Sequence, residues 1–161
     1  MASNSETVTC LEEPIKPDQG NRARRARVLY GVAAAVSIVG LLDSIYLTVE
    51  HLAGRSVRCT IVKGCSEVLS SPYSSFRGIP LALIGAGAYF VVFSLATLAA
   101  SGYKSAGKLL PIVVGIMFLM TLWLFYLQAV VIKAFCQFCL LSALVTLMLT
   151  LLVFLARRLE R

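Results

Sequence analysis

Four long apolar runs dominate this chain: residues 28–49, 80–100, 109–132 and 138–156. Only the first contains a charged side chain, Asp43. The hydrocarbon core of a bilayer, about 30 Å thick, is crossed by a helix of about 20 apolar residues. Each run meets that requirement. A soluble domain of 161 residues could not bury four helices of this length. The composition agrees: 58% of residues are hydrophobic and 14% are charged, which excludes disorder and argues against an ordinary soluble domain. The chain therefore reads as an all-α integral membrane protein, a bundle of four transmembrane helices.

The first run follows a polar arm. It exceeds the roughly 7–15-residue apolar region of a signal peptide and has no clear cleavage site, so it reads as a retained span. The formal charge of +7 is then sorted by side. With the N-terminus in the cytoplasm, Lys16, Arg22, Arg24, Arg25, Arg27, Lys104, Lys108, Arg157, Arg158 and Arg161 lie inside. Arg55, Arg58, Lys63, Arg77 and Lys133 lie outside. This is the positive-inside bias, strongest where Arg22–Arg27 meets the first span. A lipid-binding or nucleic-acid patch is the other reading of that cluster. The adjacent span accounts for it, and no nucleic-acid partner is implied. Both termini are cytoplasmic in this topology.

The organisation that follows is a flexible cytoplasmic tail over 1–27, a membrane domain over 28–156, and a cytoplasmic end over 157–161. The short links at 101–108 and around 133–137 force antiparallel neighbours. The outer loop, 50–79, is long, and long loops in compact proteins usually serve function. Pro80 suits the first turn of the second span. Gly31 and Ala35, and the run Gly85-Ala86-Gly87-Ala88, are candidates for close helix packing.

Of the five cysteines, Cys10 lies in the inner tail. The other four fall on the outer side: Cys59 and Cys65 in the long loop, Cys136 and Cys139 as C-x-x-C where the fourth span begins. Four thiols on an oxidising face point to disulfide chemistry. At a helix N-terminus the dipole and unpaired N–H groups favour a thiolate, which is the attacking species, and Lys133 adds positive charge nearby. Two pairs can pass a disulfide from bundle to loop, and from loop to a soluble partner. The competing readings are permanent structural disulfides in a non-catalytic scaffold, or a four-thiolate zinc site. C-x5-C is a loose spacing for zinc, and His51 is the only histidine, so no metal is assigned.

The chain has no dinucleotide fingerprint and no haem ligand pair. An acceptor dissolved in the bilayer needs no motif, only an apolar pocket near the C-x-x-C, so a quinone is the natural choice. Phe135, Phe138 and Leu140 flank the cysteines. Asp43 is a carboxylate inside a span, a functional candidate by default. A helix from Arg27 to Asp43 rises about 24 Å, which brings Asp43 near the outer, redox level. It could relay a proton to reduced quinone.

Cys59-x5-Cys65, Val68-Leu69-Ser70-Ser71-Pro72-Tyr73, Gly78-Ile79-Pro80-Leu81-Ala82 and Cys136-x-x-Cys139 together resemble the vitamin K epoxide reductase family, in its bacterial branch. Gly40-Leu41-Leu42-Asp43-Ser44-x-Tyr46-Leu47 adds to that resemblance, which covers residues 28 to 156. It implies a four-helix bundle that oxidises thiols and reduces a quinone of the ubiquinone, menaquinone or phylloquinone type. Cys59 would take electrons from a thioredoxin-like or DsbA-like soluble protein acting in trans. Cys65 would exchange with Cys136, Cys139 would face the quinone, and Ser71 would support the loop. Part of the loop would form a half-helix over a pocket that includes Pro80, Leu81 and Ala143. The implied location is a bacterial inner membrane. Two positions depart from the vertebrate enzymes: Ala143 replaces a Tyr, and Pro80-Leu81-Ala82 replaces a segment bearing Asn. The resemblance therefore does not carry epoxide reduction or anticoagulant binding with it. The DsbB quinone reductases also use four helices and two cysteine pairs, but with the C-x-x-C in the first outer loop.

Overall fold

A computed structural model describes residues 17–53, 75–76 and 79–160. Four helices in it are long and apolar enough to cross a membrane. They are α1 (Pro17–Leu52), α2 (Leu81–Ala100), α3 (Lys104–Tyr126), which continues as a π-helical turn over Leu127–Ile132, and α4 (Gln137–Glu160). In lipid every backbone group must find its partner within the chain, and a helix is the local way to do so.

Each helix packs on its neighbours in sequence, and α4 closes the ring against α1. The direction of packing is antiparallel throughout. Gly40 meets Tyr89 while Ser44 meets Gly85, so α1 and α2 run opposite ways. The Tyr30 hydroxyl donates to Glu160 and the Tyr46 ring packs on Phe138, so α1 and α4 do too. Large apolar side chains such as Leu42, Ile116, Leu119 and Leu151 point outward, as a lipid-facing surface requires. The interior is built from Ala26, Ala33, Ala34, Ala96, Ala99, Ala106 and Ala156 around Tyr30, Leu110 and Leu149.

Several local expectations change. The chain is helical from Pro17, so the tail expected through residue 27 is already part of α1 by then. Pro17 suits a first helical turn, the Ala and Arg residues that follow are strong helix formers, and Ala26 is 2% exposed in the core. Pro80 is not in the first turn of α2. It is the N-cap, in extended conformation, and pairs as β2 (Ile79–Pro80) with β1 (Ser75–Phe76) in a short antiparallel ladder not foreseen from sequence. Gly31 and Ala35 face outward, and nothing lies within 4 Å of a Cβ placed at Gly31. The close approach is one face over, at Gly40 and Ser44. There the Tyr89 ring leaves no room for a side chain at Gly40. The Tyr89 hydroxyl reaches across the bundle to Ser142 Oγ at 2.8 Å and Thr146 Oγ1 at 3.0 Å. Cys10, Cys59, Cys65, Ser71 and any half-helix in the loop lie outside the described residues.

Candidate active site

The fourth helix begins in a way that explains the C-x-x-C spacing. The Leu140 N–H donates to the Cys136 carbonyl at 3.0 Å, the first intrahelical bond of α4, so Cys136 is its N-cap. Counting from there, Phe138 and Cys139 are the second and third helical residues. Their backbone N–H groups donate to Cys136 Sγ. The Cys139 S–H donates to the same sulfur. An N-cap side chain that accepts from the third residue, whose own side chain reaches back, is the logic of a capping box written in sulfur.

The electrostatic result is a low-pKa thiol at Cys136. The Cys139 S–H, with the two backbone donors, lowers it from 9.0 to about 7, against burial and the Asp43 carboxylate, which push it up. Lys133 does not enter that balance. It is exposed and closes the π turn in a left-handed conformation, φ 54°.

Cys136 is fully buried, and a further group holds it there. Its own N–H donates to the side-chain oxygen of Gln128 at 3.1 Å. Gln128 lies in the π turn, where it and Leu127 are both buried and both face the interior. Such wide turns occur frequently at functional sites. Sequence reasoning passed over Gln128, although a lone amide in an apolar span was a signal available to it.

Cys139, half-buried, forms part of the wall of a cavity of about 170 Å³ between all four helices. Asp43, Ser44, Leu47 and His51 of α1 line it, with Pro80, Leu81, Gln128, Ser142 and Ala143. Thus Asp43, Pro80, Leu81 and Ala143 meet Cys139 around one space. Phe135, Phe138 and Leu140 lie off the wall. Phe135 tilts against Phe125 at 6.2 Å, and Phe138 packs on Tyr46 at 5.4 Å. One carboxylate oxygen of Asp43, Oδ2, is buried with no hydrogen-bond partner among the described residues. No group of metal-ligating side chains is found among those residues.

A membrane-embedded helix bundle with a C-x-x-C pair beside an apolar cavity, Cys139 on its wall, defines a class, the integral-membrane oxidoreductases. The model of the vitamin K epoxide reductase family matches residues 32–154, and the chain belongs to that family. Its members link disulfides to quinones in the membrane. The cavity fits a quinone ring. Its wall is mostly apolar, and Asp43, Ser44, Gln128 and Ser142 supply a few polar side chains for the ring's oxygen substituents.

Proposed function

We propose that the protein oxidises the thiols of a soluble thioredoxin-like or DsbA-like partner on the outer side of a bacterial plasma membrane, with a quinone as terminal acceptor. Both termini are cytoplasmic in this reading. The observation that supports it best is the placement of the C-x-x-C. Cys136 is capped as a low-pKa thiol, and its partner Cys139 stands on the cavity wall.

Cys59 takes the partner's electrons through a mixed disulfide, and a Cys59–Cys65 disulfide becomes a dithiol as the partner's dithiol closes. Cys65 then attacks the Cys136–Cys139 disulfide, which opens while Cys59–Cys65 re-forms. Ser71 supports the loop in which these exchanges occur. Closing the Cys136–Cys139 dithiol again releases two electrons and two protons. A bound quinone supplies the acceptor for both. Pro80, Leu81 and Ala143 would hold the ring among apolar surface and exclude water, and Asp43, on the cavity wall, would hold a proton.

The test is turnover. Purified protein is mixed with a reduced thioredoxin-like substrate and a quinone, and quinone absorbance is followed. Cys136→Ala and Cys139→Ala each abolish the signal. Normal turnover in both variants leaves a non-catalytic scaffold and overturns the proposal.

A further inference from the structure

The opposite end of the bundle holds a second cavity, of about 670 Å³, that the redox chemistry does not use. Its wall brings together Arg22 and Arg27 of α1, Lys104 and Lys108 of α3, and Arg157 and Glu160 of α4. These side chains are scattered in sequence and converge only in the fold. The wall carries five cations against one carboxylate. That carboxylate accepts a hydrogen bond from Tyr30 at 3.0 Å. Among the described residues no ion pair neutralises Arg27, Lys104 or Lys108. Gly102, at φ 96°, turns the chain tightly between α2 and α3, and a Cβ there would sit 3.9 Å from Arg27 Nη2. The guanidinium thus lies beside the turn.

Beside these cations begins the lipid-facing surface. Val28 and Leu109 are each more than half exposed and next in sequence to Arg27 and Lys108. A concave cationic site bordered by outward apolar side chains suits a ligand with a phosphate head and hydrocarbon tails. A soluble anion would leave the apolar border unused.

We propose that this cavity binds the phosphate headgroup of an anionic phospholipid. Basic pockets between transmembrane helices commonly take such headgroups. The cations contact the phosphodiester and the acyl chains lie along α1 and α3.

Native mass spectrometry of the full chain in detergent tests this, with phosphatidylglycerol, phosphatidylcholine or inorganic phosphate added. The phosphatidylglycerol adduct survives activation that strips phosphatidylcholine. Arg27→Gln with Lys104→Gln and Lys108→Gln weakens retention about a hundredfold, at about fivefold per cation. A control triple, Arg24→Gln with Arg25→Gln and Arg158→Gln, removes equal charge off the cavity wall and keeps the adduct. Equal retention of the two lipids, equal loss in both triples, no loss in the first triple, or displacement of the lipid by excess inorganic phosphate would each overturn the proposal.

Discussion

Gln128→Leu isolates the contact that holds Cys136 in place. The side-chain oxygen of Gln128 accepts the Cys136 N–H at 3.1 Å, and both residues are buried. Leucine is of similar volume, one bond shorter, and removes the acceptor. The stranded N–H costs about 1–3 kcal/mol, the price of an unpaired buried donor. At 1.4 kcal/mol per tenfold, about 5- to 150-fold fewer molecules hold Cys136 as the N-cap of α4. The assay is a single turnover of pre-reduced protein with saturating quinone, read by absorbance. The rate at saturation falls at least about fivefold, while the quinone concentration for half-maximal rate changes little. Gln128→Glu restores most of the rate, because either protonation state of the new carboxyl leaves an acceptor oxygen in reach. A normal rate in Gln128→Leu refutes the reasoning, and so does equal impairment of the two variants. A change confined to the half-saturating concentration assigns Gln128 to the cavity wall alone and also refutes it.

The Cys136 thiol, lowered to about 7, forms its thiolate as pH rises through neutrality. Alkylation of Cys136 in the reduced protein, quantified by mass spectrometry, therefore rises through about pH 7 and levels above it. Cys139→Ala removes the main donor and moves the rise up toward the ordinary thiol range, and an unmoved midpoint in that variant contradicts the capping account. Gly40→Ala places a Cβ 2.6 Å from Tyr89 Cζ and costs about 1–3 kcal/mol in thermal unfolding, whereas Gly87→Ala, with nothing within 4 Å, is neutral; equal midpoints sink the close-approach argument. Asp43→Asn slows quinone turnover at least about tenfold, since a positioned general acid contributes about 10²–10⁴-fold, and unchanged turnover removes the proton role.

What could be read from the sequence follows from which constraints are local. The spans were legible because a bilayer imposes length and apolarity residue by residue, so the runs at 80–100 and 138–156 fall almost wholly within α2 and α4. The start of α1 was not, because Arg22–Arg27 satisfies two demands at once: it is basic enough for a membrane boundary and helical enough to continue the span. The pairing of Cys136 with Cys139 was legible because three residues separate an N-cap from the backbone donor it needs. Chain adjacency misled at Phe135, Phe138 and Leu140, since residues next to a helix N-cap fan out around the axis and do not share its face. Gln128 shows the remaining limit. Eight residues upstream in an apolar span it carries no pattern, and only the π turn, the left-handed Lys133 and the short link to α4 fold it back onto Cys136. The cationic cavity is the same case at larger scale. Its five cations were assigned to one side of the membrane from sequence, but their convergence on one space depends on helix order and the Gly102 turn, which sequence does not report.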